Sequence, residues 1–167
     1  MSESVSNELV RRVVTAALLI PVVLIAVFLG GWTFFTISAV AIVLMATEWE
    51  RVTGGERFGR HTLLNMFTGL TALSLLSIGS FEYVFAFVIA VSVASGVLPR
   101  RDGSYSIWPC IGVIVVIVPA ICLVWLRALD AGMIILLWIL LVLWATDSGA
   151  YFVGRMFGGR LSLIHIS

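Results

Sequence analysis

The sequence predicts an all-α fold: a polytopic helical membrane protein of about six transmembrane helices, with its N-terminus in the cytoplasm. Three observations carry that expectation: an extreme apolar composition, six separate apolar segments, and a lopsided distribution of arginines. Hydrophobic residues make up 61% of the 167 and charged residues 11%, with a mean hydropathy of +1.15. Soluble domains carry roughly a quarter charged residues, so a globule of this composition could not cover its surface. Lipid must be the solvent for most of the chain. The net charge of +1 gives no basic field that would attract nucleic acid and no acidic solvating tail.

The first apolar segment, 13–29, follows Arg11 and Arg12. It is longer than the roughly 7–15 residues of a secretory signal's apolar region, and no small-residue cleavage site follows, so it is expected to be a retained helix. The second, 32–46, begins after Gly30-Gly31 and closes on Glu48, Trp49, Glu50 and Arg51, read as a helix-end ion pair. The third and fourth, 63–78 and 81–98, are parted by Gly79-Ser80; the fifth, 107–126, follows Pro99, and the sixth, 132–152, follows Asp130. A span needs about 20 apolar residues, which the second and third reach only with their polar flanks. Every backbone amide in hydrocarbon must be paired within its own segment, so these are helices; runs such as 111–118 lack the alternation of a β-barrel. Pro21 and Pro119 fall inside spans, where a kink is tolerated.

If six helices alternate, one side receives Arg11, Arg12, Arg51, Arg57, Arg60, Arg100, Arg101, Arg155 and Arg160, and the other receives Arg127 alone. That split follows the positive-inside rule and puts the N-terminus in the cytoplasm. Trp32, Trp108, Trp125 and Tyr105 lie near span ends and are expected to anchor in the headgroup layer. Cys110 and Cys122 share one segment, roughly 18 Å apart on a helix, too far for a disulfide. Arg100-Arg101-Asp102-Gly103 is expected to be a solvated turn, and His61 a surface residue in a polar loop.

Asp147 is the one acid embedded in an apolar run. A charge within the bilayer costs about 2.5–3.5 kcal/mol on insertion scales and usually marks a functional site. Alternation puts Asp147 about two turns from the cytoplasmic surface. Tyr151 and Arg155 follow at i+4 and i+8, on roughly the same helix face, and Gly149, Gly154, Gly158 and Gly159 keep the backbone bare around them. A carboxylate able to hold Mg²⁺, arginines that match phosphate geometry and exposed main-chain amides together suit a phosphate-bearing substrate reached from the cytoplasm. An intrahelical Asp147–Arg155 pair is the structural alternative.

The stretch Asp147-Ser148-Gly149-Ala150-Tyr151-Phe152-Val153-Gly154-Arg155-Met156-Phe157-Gly158 resembles the Asp-x-x-Ala-Tyr-x-x-Gly-Arg-x-x-Gly block of bacterial phosphatidate cytidylyltransferases. Arg11-Arg12-Val13-Val14-Thr15-Ala16 leading to Ile20-Pro21, and Glu48-Trp49-Glu50 at the end of the second span, look like the opening hairpin of that family. The resemblance runs to about Arg160 and concerns the family's N-terminal part. It implies transfer of CMP from CTP to phosphatidic acid, giving CDP-diacylglycerol and pyrophosphate, with Mg²⁺ as cofactor, in a bacterial inner membrane. It also implies Asp147 as the catalytic and metal-binding residue and Ser148, Tyr151, Gly154 and Arg155 as substrate-binding residues. A homodimer is compatible with the resemblance.

On this reading residues 1–160 form a transmembrane portion of such an enzyme, while 161–167 depart from the family's continuation and look like a non-native tail. The later basic and acidic signature of the family does not occur, so this chain alone is not expected to catalyse the reaction. A membrane transporter or channel subunit would also show six spans and an intramembrane Asp. No internal repeat between 1–80 and 81–160 supports that reading.

Overall fold

The computed structural model describes residues 2–79, 81–100 and 103–157, with side chains for 14–79, 81–100 and 103–154. Six α-helices make up the described residues: α1 (Ser2–Leu29), α2 (Gly31–Val52), α3 (Arg60–Ser77), α4 (Phe81–Val97), α5 (Trp108–Ala128) and α6 (Gly132–Phe157). Each expected segment corresponds to one helix. The breaks sit where backbone chemistry demands them: Gly30, Gly31, Gly54, Gly79 and Gly103 all adopt positive φ, which L side chains rarely tolerate.

Among the described residues three stretches are long and apolar enough to cross a membrane, Gly31–Val52, Trp108–Ala128 and Gly132–Gly154; Val14–Leu29 and Phe81–Val97 are shorter apolar helices. Helix α3 differs because it turns polar residues inward. His61, Thr62, Asn65 and Thr68 are buried, whereas Leu63, Phe67 and Leu70 face outward. Apolar side chains cover the outside of the other helices too, from Leu18 and Ile25 on α1 to Trp138 and Val142 on α6. Exposed apolar area on this scale is foreign to a soluble monomer and natural where lipid is the solvent.

Helix α5 is the centre, packing against α2, α3, α4 and α6, while α1 rests on α2 and α6. The main core joins Ile42 of α2, Leu73 of α3, Val88 of α4 and Ile117 of α5; a smaller one joins Val27, Phe34 and Leu136 from α1, α2 and α6. Hydrophobicity alone gives helices no reason to associate in lipid, so small residues that let backbones approach become decisive. Gly69 brings α3 so close to α2 that an added Cβ would lie 2.5 Å from Ile42 Cγ2. Gly112 of α5 receives the Trp49 indole, whose Nε1 donates to the Trp108 carbonyl at 3.0 Å. At the α4–α5 seam Ser92 Oγ donates to the Cys110 carbonyl at 2.9 Å. Cys110 and Cys122 are both free thiols.

Cross-links between helix ends show that neighbouring helices alternate in direction. Arg100, beyond the end of α4, donates to the Thr53 carbonyl beyond the end of α2; Trp49 near the end of α2 meets Trp108 at the start of α5. At the opposite end Arg127 of α5 donates to the carbonyls of Val27 (2.7 Å) and Phe28 (3.4 Å), which α1 leaves without helical partners. Arg51, Arg57, Arg60 and Arg100 therefore gather at one end of the bundle. Arg127, at the other, is held by the C-terminus of α1.

Candidate functional site

Asp147, Ser148, Tyr151 and Gly154 all lie on α6, which is continuous from Gly132 to Phe157. Asp147 and Tyr151 are four residues apart and so lie one turn apart on one face. All four residues are exposed. An added Cβ at Gly149 or Gly154 would meet nothing within 4 Å. Among the described residues Asp147 has no ion-pair or hydrogen-bond partner. Thr146 returns its hydroxyl to the Val142 carbonyl, leaving the polar face to Asp147 and Ser148. The backbone of Arg155 belongs to α6, but its side chain lies outside the described residues, as do Gly158, Gly159, Arg160 and the expected tail 161–167. Among the described residues the first half of α6 packs into the bundle, while 141–154, around the acid, are largely exposed.

The described residues contain no cluster of three or more His, Cys, Asp or Glu that could hold a metal. Mg²⁺ beside phosphates is commonly held by one or two carboxylates, with substrate oxygens and water completing the shell. Asp147 fits that pattern, though not an all-protein cage.

A second polar place lies at the arginine-rich end. A cavity of about 600 Å³ is lined by residues of the α2–α3 loop and the adjoining helix ends, with Glu50, Glu56, Arg60, His61 and Arg100 as its charged or titratable lining. Three expectations are corrected here. His61 is not a surface residue: it is 8% exposed, and neither ring nitrogen has a hydrogen-bond partner. The helix-end ion pair forms between Glu48 and Arg51 alone; Glu50, 2% exposed, turns inward and faces Arg100 at 3.8 Å. Arg100 is not part of a freely solvated turn, since its side chain is 15% exposed and Nη1 donates to Thr53 O at 3.0 Å. Arg101 lies outside the described residues.

The signal for these positions was periodicity. The buried face of α2 runs Phe34, Ser38, Ile42, Ala46, Glu50, every fourth residue, and that of α3 begins His61, Thr62, Asn65, Thr68. Carrying each stripe to the helix end places Glu50 and His61 inside.

Long apolar helices, an apolar exterior and an interior polar stripe define the class: this is a helical membrane protein. Within that class, the chain belongs to the Cytidylyltransferase family, whose model matches residues 10–167. It is also similar to the phosphatidate cytidylyltransferase of Pseudomonas aeruginosa strain PAO1, with 30% identity over 161 residues covering 90% of this chain and 59% of that protein. The chain therefore spans less than two thirds of the length of this curated relative. No solved structure gives a significant match.

Proposed function

We propose that this chain serves as part of a phosphatidate cytidylyltransferase of the bacterial inner membrane, with six helices spanning the bilayer and the arginine-rich end in the cytoplasm. The likeness to the Pseudomonas relative over 90% of this chain supports the reading most directly. In the reaction, a phosphate oxygen of phosphatidic acid attacks the α-phosphorus of CTP. The bond from that phosphorus to the bridging oxygen breaks, and pyrophosphate leaves with the electron pair. No enzyme nucleophile is required, so positioning and charge neutralisation carry the rate.

Each residue on α6 has a role suited to that chemistry. Asp147 offers an acceptor-only carboxylate at the edge of the apolar layer, where it would be one ligand to Mg²⁺. When bound, that ion would offset the charge on the phosphate oxygens. The Ser148 hydroxyl and the Tyr151 phenol can donate to phosphate oxygens, and the Arg155 guanidinium matches phosphate in a planar fork. Gly149 and Gly154 leave the helix surface bare, so a nucleotide can approach the main chain.

The test is transfer of labelled CMP by the complete protein carrying Asp147→Asn. Loss of about 10²-fold or more in rate, with helical content unchanged, is the expected result, because a preorganised charge acting on the transition state is worth that much. Turnover at the unmodified rate overturns the role given to Asp147.

A further inference from the structure

We infer that the cavity between the α2–α3 loop and the start of α3 is a binding site for a phosphate group, separate from the Asp147 face of α6 and independent of the role proposed for it. Helix α3 is 18 residues long, starts after Gly59 with no side-chain cap, and has no acidic residue in its first turn. Its first amides and its dipole therefore present positive potential, the arrangement that receives phosphate at helix N-termini. Alone, that would mean little.

The second observation is His61 in the same first turn. It is 8% exposed and lines the cavity, with both ring nitrogens unpartnered. Buried polar atoms are nearly always satisfied, so an imidazole with neither nitrogen bonded points to a group that completes it. Arg100 adds to this, since Nε and Nη2 are buried without a hydrogen-bond partner although Nη1 is used. Arg60, exposed at the mouth, spends one nitrogen on the Pro99 carbonyl at 3.1 Å and has further donors free to turn to a ligand.

Two carboxylates share the cavity, and the charge balance has to allow for them. Glu50 lies against Arg100 at 3.8 Å, beyond hydrogen-bond distance, so Arg100 offsets its charge while keeping donors unspent. Glu56 is exposed on the loop, and its main-chain carbonyl accepts from Thr62 Oγ1 at 2.8 Å and from the Gly59 amide at 3.0 Å. The two carboxylates balance the two guanidinium groups, so what the cavity offers an anion is unspent donors: Nε and Nη2 of Arg100, the further nitrogens of Arg60 and the first amides of α3. A cation would meet two guanidinium groups, and the described residues form no metal-binding cluster. An anion with several acceptor oxygens fits, and the volume of about 600 Å³ is that of a small-molecule site. The phosphate can come from a lipid headgroup or from a soluble nucleotide, since both present the same acceptor oxygens.

Histidine labelled with ¹⁵N reads the site directly, as the 167-residue chain contains two histidines and His61→Gln assigns the relevant signal. The chain in detergent is titrated with inorganic phosphate and with CTP against chloride at matched ionic strength. In nanodiscs, phosphatidic acid in phosphatidylcholine is compared with phosphatidylcholine alone. A saturable His61 shift with phosphate is expected, weakened about tenfold or more by Arg60→Gln and retained in Asp147→Asn. Arg60 is exposed, so its replacement leaves the core intact. A response to CTP assigns a soluble source and a response to phosphatidic acid a lipid one. A His61 signal indifferent to all three, or a phosphate response equal in the parent chain and Arg60→Gln, overturns the assignment.

Discussion

Gly69→Ala should destabilise the bundle, even though alanine is the better helix former. A Cβ at Gly69 would lie 2.5 Å from Ile42 Cγ2, 3.2 Å from Ile42 Cδ1 and 3.5 Å from Ile117 Cγ1. The first contact cannot be relieved by a flexible end, because Cγ2 is fixed to Cβ and a β-branched side chain is stiff at χ1. Ile42 is fully buried, so α2 and α3 must separate instead. Overpacking of this kind costs about 1–3 kcal/mol, and the helix-propensity gain returns about 0.5–1 kcal/mol. A net loss of between about zero and about 2.5 kcal/mol follows, measurable as reversible unfolding in mixed micelles followed by far-UV circular dichroism. Ile42→Ala alone should cost about 2–5 kcal/mol by leaving a cavity. In the double variant the new methyl occupies part of that space, so the pair should be less destabilising than the two effects added, by about 1 kcal/mol. Gly69→Ala more stable than the parent, together with strict additivity, would refute the close approach of these helices.

Other expectations rest on the polar contacts. Glu50→Ala, which leaves Arg100 without its counter-charge, should cost about 3 kcal/mol in the same unfolding assay, with part of the loss recovered when Arg100 is also replaced by an uncharged residue. Arg127→Ala removes donors from the Val27 and Phe28 carbonyls and should cost about 1.5–3 kcal/mol, with faster amide exchange at the end of α1 as the local signature. For orientation, a cysteine at Arg57 in a background lacking Cys110 and Cys122 should react with an impermeant maleimide only from the cytoplasmic side, and one at Asp130 only from outside. Identical labelling from one side would contradict the alternation proposed.

Helix number and breaks were legible because they depend on one-dimensional quantities. An apolar run must close its own hydrogen bonds, and a glycine at positive φ ends it. The acid on α6 stood out equally plainly, since a charge in an apolar run is costly and calls for either a function or an intrahelical partner such as Arg155. What the described residues do not do is bury it: Asp147 and the residues of α6 around it are exposed. The arginine-rich end was misjudged for a different reason. Local composition makes Glu50 look like half of a helix-end ion pair and His61 and Arg100 like solvated residues; the inward stripes of α2 and α3 carry Glu50 and His61 under cover, and Arg100 follows from beyond the end of α4.

By itself the sequence determined the solvent, the helical class and the alternation of the helices, because hydropathy and arginine placement act on each segment separately. Tertiary structure decided which polar groups lose water. Burial of Glu50 beside Arg100 depends on residues 50 positions apart in sequence meeting at one end of the bundle. The stripes of α2 and α3 mark that Glu50 and His61 point inward, but which cation Glu50 meets is decided only when the end of α4 brings Arg100 to it.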